Sequence, residues 1–158
     1  MVHNDNKKYD LKVLVLTVSS TRSIENDETG RKLESLFKND GYAVSRKICT
    51  DDESEILKLI FCNYENDIFV INGGTGASRK DVTVRAIEKI AEKEIRGFGE
   101  LFRERSGGIL PYISNASLFI RGKKELFCIP GSPDAAEIAY KVIGGMMNHL
   151  YTELNKES

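Results

Sequence analysis

The residues of this 158-residue chain that could do chemistry fall at a few points, each where an apolar run gives way to glycine, serine or aspartate. The sharpest is Gly73-Gly74-Thr75-Gly76, directly after the apolar run Asp67–Asn72. A strand that opens into glycines lets the backbone approach a ligand closely and turn N–H groups toward an anion. A tight strand–helix turn needing positive φ would use the same residues. Arg79, Lys80 and Asp81 come next. A basic pair beside exposed amides suits a polyphosphate, and Asp81 can hold Mg²⁺, which takes oxygen ligands and few protein carboxylates. The competing reading is an N-cap aspartate with two solvated neighbours. Asp51 and Asp52 close another predicted strand. Carboxylates brought from two strand ends across one crevice are what metal-assisted phosphoryl or nucleotidyl transfer requires, although acids at a helix N-terminus also follow from dipole placement alone. Pro130-Gly131-Ser132-Pro133 either starts a helix with Ser132 as N-cap and proline at N1, or also aims that helix end at a ligand anion. Two familiar nucleotide motifs are excluded. From Gly74, a GxGxxG frame would need glycine where Arg79 stands, and no Gly-Lys-Ser/Thr string occurs.

The elements that must position these residues can be read from hydrophobic periodicity. Leu11–Ser20 and Asp67–Asn72 are continuous apolar runs, as expected of strands buried on both faces. Tyr42, Val44, Arg46 and Ile48 alternate with Ser45 and Lys47, the pattern of a half-exposed edge strand. Asp27 offers an N-cap for a helix with Leu33, Leu36 and Phe37 on one face, ending at Asn39-Asp40-Gly41. Ile56, Leu57, Ile60 and Phe61 predict the next helical face, and Val82, Ala86, Ile87 and Ile90 a third, which Gly97-Phe98-Gly99 breaks before a further turn or two over Glu100–Arg105. Ser106–Ser114 is the least regular stretch. Leu118–Arg121 and Glu125–Ile129 flank a turn signal at Gly122-Lys123-Lys124 and read as a hairpin. Ala135, Ala139, Val142, Ile143, Met146 and Leu150 mark a last, long helix. Alternating strands and helices predict a three-layer αβα sandwich, with a mostly parallel central sheet and a short β-hairpin. Ligands then belong beyond the carboxyl ends of the strands, at Ser19–Arg22, Cys49–Asp52, Gly73–Asp81 and Pro130–Pro133.

Composition narrows the function classes. With 23 Lys+Arg against 24 Asp+Glu, the chain lacks the basic footprint of a duplex nucleic-acid binder. Its longest apolar runs are far short of the roughly 20 residues of a membrane span, so membrane insertion is not expected. Three widely spaced cysteines form neither a disulfide framework nor a CxxC knuckle. Cys62 and Cys128, in or beside apolar runs, read as small buried hydrophobes. His3 and His149 are the only histidines, too few for a zinc site or a His-based triad. One domain over 1–158 is expected, with polar tails at 1–10 and 152–158.

In order, Val18-Ser-Ser-Thr-Arg22, Asp27-Glu-Thr-Gly30, Asp51-Asp52, Asn72-Gly-Gly-Thr-Gly76, Arg79-Lys-Asp-Val-Thr83, Gly97-Phe-Gly-Glu-Leu-Phe-Arg103 and Pro130-Gly-Ser-Pro133 resemble the MoaB/MogA family of molybdenum cofactor biosynthesis proteins, over about Leu11 to Leu150. That resemblance implies a cytoplasmic αβα protein forming a trimer or a dimer of trimers. The implied activity is Mg²⁺-dependent adenylylation of molybdopterin by ATP, giving adenylyl-molybdopterin and pyrophosphate, with a molybdotransferase as the downstream user. It further implies Asp51 and Asp81 as catalytic pair and Mg²⁺ ligands. Ser19, Ser20, Gly73, Gly74, Thr75, Gly76, Arg79, Gly131 and Ser132 would then hold nucleotide and pterin. The chain departs from the family pattern at Val84 and Arg85, where proline and an acid are usual, and at Asn115, where arginine is usual. The alternative it leaves open is a carrier of the same fold that binds molybdopterin with little turnover.

Overall fold

A computed structural model describes residues 7–156 of the chain. The strands are β1 (Lys12–Val18), β2 (Ala43–Cys49), β3 (Ile68–Asn72), β4 (Lys93–Ile95), β5 (Ser117–Arg121) and β6 (Lys124–Ile129). The helices are α1 (Glu28–Asn39), α2 (Glu53–Cys62), α3 (Thr83–Glu88), α4 (Arg96–Ser106) and α5 (Pro133–Leu154), with a 3₁₀ turn at Leu110–Ile113. One six-stranded sheet runs in the order β2-β1-β3-β6-β5-β4. β2, β1, β3 and β6 are parallel, and only β5 runs the other way, pairing antiparallel with both β6 and β4.

Why these residues form these elements follows from burial. Every residue of β3 is buried, as its continuous apolar run requires of a strand covered on both faces. Side chains alternate between two apolar layers. Val13, Val15, Val70, Phe127 and Ile129 face α1, α4 and α5. Leu14, Leu16, Phe69, Ile71 and Cys128 face α2 and α3. β2 sits at the sheet edge with alternating exposure, as its sequence indicates. Three helices begin on side-chain caps: Asp27 accepts the Gly30 N–H and Ser132 the Ala135 N–H, as expected, and Asp52 accepts the Glu55 N–H. The predicted αβα sandwich is the observed one, its hairpin β5–β6 merged into the main sheet.

Four local readings are corrected. Gly97 and Gly99 do not break a helix; they lie in the first turn of a separate α4, preceded by the short strand β4. A Cβ on Gly99 would fall 2.3 Å from the Ala116 carbonyl oxygen, so the glycine permits close packing, and Phe98 and Phe102 anchor the helix in the core. Cys62 and Phe61 are exposed rather than buried: α2 ends there, and Phe61 stacks on Tyr64 beneath the Arg121 guanidinium. The described part of the amino-terminal stretch is docked, since the Tyr9 N–H donates to Asn148 and its ring packs on Tyr151. At the other end α5 continues to Leu154, so 152–154 are helix and not tail. His3 and the outer residues 1–6 and 157–158 lie outside the described residues. Among the described residues no helix is long and apolar enough to cross a membrane.

Candidate functional site

The carboxyl ends of four parallel strands deliver the loops Ser19–Arg22, Thr50–Asp52, Gly73–Asp81 and Pro130–Ser132 to one edge of the sheet. Backbone hydrogen bonds tie these loops together. The Ser19 N–H donates to the Cys49 carbonyl at 2.8 Å and the Gly73 N–H to the Ile129 carbonyl at 2.9 Å. Glycine is needed where the loops touch. Gly73 has φ +98°, and a Cβ there would lie 2.3 Å from the Val18 carbonyl oxygen; Gly74 has φ +71°, and its Cβ would meet Thr83 Oγ1 at 2.2 Å. Because the Gly73 neighbour is backbone and cannot swing away, Gly73→Ala is expected to cost about 1–3 kcal/mol of stability, read by chemical denaturation. A variant as stable as wild type would show that the close approach is not needed.

Residues of this loop line two cavities. The smaller, of about 380 Å³, is lined by Ser19, Arg22, Asn72, Gly73, Gly74, Gly131 and Ser132 among others. The larger, of about 580 Å³, is lined by Gly76, Ser78, Asp81, Arg85, Arg103, Ser114 and Asn115 with their neighbours. The structure therefore gathers Ser19, Gly73, Gly74, Gly131 and Ser132 into one cavity and puts Gly76 and Asp81 in the other. Thr75 is buried behind the loop, its hydroxyl 3.1 Å from that of Ser114 and its carbonyl accepting the Asn115 N–H. Ser20 lines neither cavity; its hydroxyl donates to Asp51 Oδ2 at 2.6 Å. Asp51 lines neither cavity either, and this bond fastens it to the residue next to Ser19. Arg79 lines neither of the two.

Asp81 does not cap α3, whose N-cap is Val82. Its Oδ2 instead accepts the Ser78 N–H at 2.9 Å, folding the loop back on itself. A Cβ on Gly76 would sit 2.8 Å from that same oxygen, so Gly76 leaves the carboxylate its space. A buried polar network backs the smaller cavity. Thr17 donates to Asp27 Oδ2 at 2.6 Å, Asn72 Nδ2 to Thr17 Oγ1 at 2.9 Å, and Arg46 Nη1 to Asp27 Oδ2 at 3.1 Å. Arg22 donates to Thr29 Oγ1, and Thr29 in turn to the Gly131 carbonyl. This chain of bonds joins the β1 and β6 loops through α1. Arg22, Thr29, Asn72 and Ser114 are site residues whose roles the sequence motifs do not assign. A polar residue at the last position of a buried strand, as at Asn72, was the available signal.

Thiol chemistry is disfavoured here. Burial, reinforced by Glu55, Asp51 and Asp52, pushes the Cys49 thiol up to about 12, and burial raises Cys128 further still. Among the described residues no three His, Cys, Asp or Glu side chains cluster as a metal cage. The arrangement offers instead two separately held carboxylates, amide-rich loops and a polar cavity, parts that suit phosphate-bearing ligands.

The sequence model of a family described as a probable molybdopterin binding domain matches residues 14–149. Molybdenum cofactor biosynthesis protein B of Bacillus cereus is 34% identical over 166 aligned positions, covering 98% of this chain and 97% of that one. A crystal structure of a molybdenum cofactor biosynthesis protein B superposes with a TM-score of 0.88 at 34% identity, covering 94% of this chain and 98% of the other. The tungsten cofactor synthesizing protein MoaB from Pyrococcus furiosus superposes with a TM-score of 0.85 at 26% identity, over 95% of this chain and all of that one (100%).

Proposed function

This chain belongs to the MoaB/MogA family of probable molybdopterin binding domains, and from that premise we propose that it acts in molybdenum cofactor biosynthesis as a Mg²⁺-dependent adenylyltransferase, joining AMP from ATP to the phosphate of molybdopterin. The observation that carries the reading is the position of the Gly73–Gly76 loop as a shared wall, with Gly73 and Gly74 on one cavity and Gly76 on the other. A two-substrate transfer needs two adjoining compartments, and a glycine loop between them can present amides to phosphates on either side. In the reaction a phosphate oxygen of the pterin attacks the α-phosphorus of ATP, and the bond to the β-phosphate oxygen breaks to release pyrophosphate. Asp51 and Asp81 would hold Mg²⁺ together with substrate phosphates, a donor set this ion accepts because it seldom uses an all-protein cage. When bound, Mg²⁺ supplies charge neutralisation at the phosphate oxygens. The chain's own residues set the geometry: Ser20 orients Asp51, the Ser78 amide orients Asp81, and the Arg22–Thr29–Gly131 bonds fix the two flanking loops. The adenylylated product is an activated form for a molybdotransferase.

The test is pyrophosphate release by purified protein given ATP, Mg²⁺ and fresh molybdopterin, with adenylylated pterin identified as the product. Tight pterin binding without pyrophosphate would overturn the transferase reading in favour of a carrier.

Self-assembly belongs to the same proposal. Ile109, Leu110, Tyr112 and Ile113 are 80%, 74%, 58% and 58% exposed, a run of large apolar side chains on one surface turn. Patches of this kind mark interaction sites, and a homotrimer or dimer of trimers would cover this one. Leu110→Asp is expected to shift the sedimentation profile from oligomer toward monomer. An unchanged oligomer would place the subunit contact elsewhere.

A further inference from the structure

The larger cavity carries five charged side chains: Asp81, Arg85, Glu88, Glu94 and Arg103. Their partners differ. Arg103 is committed, since its Nη1 donates to the carbonyls of Ser114 at 3.3 Å and Ala116 at 2.9 Å. Glu94 accepts the Ser117 hydroxyl at 2.7 Å and approaches Arg96 at 3.7 Å. Asp81 accepts the Ser78 amide. Arg85, exposed on α3, has neither a hydrogen-bond nor an ion-pair partner among the described residues. Among the described residues it is thus the one uncommitted cation on a wall that also carries Arg103 and three carboxylates. A guanidinium left free beside such acids still offers a planar fork of donors, the geometry that matches two oxygens of a phosphate. Without it, three carboxylates would face the single guanidinium of Arg103, whose Nη1 already donates to backbone carbonyls.

We propose that Arg85 is the residue that recognises a ligand phosphate in the larger cavity, a specificity role deepening the transferase reading on which it rests. The acidic side chains of Glu88 and Glu94 confine the anion to the corner formed by Gly76, Ser78, Asp81 and Arg85. Arg79 and Lys80, closer to the glycines in sequence, line neither this cavity nor the smaller one. The phosphate belongs either to the nucleotide or to the pterin monoester, and the two are separable by experiment.

Calorimetric titrations of the full chain with inorganic pyrophosphate, Mg²⁺-ATP and molybdopterin, each on wild type, Arg85→Gln, Arg85→Lys and Arg105→Gln, test this. Arg85→Gln is expected to weaken binding about 10- to 100-fold, the loss of a charge-assisted pair. Arg85→Lys, keeping charge without the fork, should fall between it and wild type. Arg105, exposed at the end of α4 and lining neither cavity, should be silent. Loss confined to ATP assigns the nucleotide phosphates, and loss confined to molybdopterin assigns the monoester. Arg85→Gln within twofold of wild type for all three probes would overturn the proposal, as would equal losses in Arg105→Gln or a wild type that binds none of them. Turnover with an indifferent Arg85→Gln sinks this inference alone. Pyrophosphate binding that depends on Arg85, without turnover, sinks the transferase reading alone. Because Arg85 has no partner to lose among the described residues, the variants should melt with wild type.

Discussion

Asp81→Asn and Asp51→Asn are each expected to lower the rate of pyrophosphate release by about 10²–10³-fold, the loss typical when one preorganised electrostatic group is removed from a transfer site. Both substitutions leave the local structure its hydrogen bonds. An asparagine Oδ1 can still accept the Ser78 N–H that Asp81 holds at 2.9 Å, or the Ser20 hydroxyl that Asp51 holds at 2.6 Å. What disappears is the negative charge that opposes a phosphate-bound cation. The loss should therefore appear in kcat more than in pterin affinity, and the melting temperature should barely move. Asp52→Asn supplies the contrast. Asp52 caps α2 by accepting the Glu55 N–H at 3.0 Å, and asparagine is an equally good cap, so neither stability nor turnover should change much. Single-turnover kinetics on the three variants would check this. Turnover by Asp81→Asn within threefold of wild type would remove that carboxylate from the mechanism.

Much of the frame that holds these aspartates was readable from residue order. The continuous apolar runs of β1 and β3, the capping positions Asp27, Asp52 and Ser132, and the glycine and proline loops all act through short-range sterics and hydrogen bonding, which sequence records directly. β4 leaves no mark in the sequence because a three-residue edge strand reading Lys-Glu-Ile has no periodicity. The start of α4 is not legible locally because glycine normally disfavours helix interiors, whereas Gly99 is selected here by its contact with the Ala116 carbonyl, which lies 17 residues away. The same limit governs the site. The loops that form it could be named from topology, yet their division between two cavities depends on how the Gly73–Gly76 turn is wedged between Val18 and Thr83. Arg79 lies three residues from Gly76 and lines neither cavity, while Arg85, nine residues away, lines the larger, because the Asp81–Ser78 bond folds the intervening loop before α3 begins. The exposed Ile109–Ile113 turn was equally hidden, since irregular sequence does not say which way an apolar side chain points.

Glu125 should dominate how the stability of this protein varies with pH. It is fully buried at the second position of β6, on the face shared with Phe127 and Ile129, and its register partners are Ile68 and Ile120. Among the described residues neither carboxyl oxygen has a hydrogen-bond partner. Burial, with a further contribution from the negative charge of Asp67, pushes its pKa from 4.5 up to about 9. The carboxyl group is thus protonated in the folded protein at neutral pH, while the unfolded chain has already released the proton. Below pH 4.5 both states hold the proton and the contribution to stability is complete. Between pH 4.5 and 9 it is lost at about 1.4 kcal/mol per pH unit, because only the unfolded state ionises. At pH 7 the loss amounts to about 3 kcal/mol, a large share of the stability of an ordinary domain. Glu125→Met keeps approximate shape, matches the apolar surroundings and cannot ionise. Its stability relative to wild type should therefore rise steadily from pH 5 to pH 9, and Glu125→Gln should show the same slope offset downward by its buried amide donors. Urea denaturation at several pH values reads both quantities. Parallel stability curves for wild type and Glu125→Met across that range would show that the carboxyl finds solvent or a cation, and that the strand end is more open than its burial indicates.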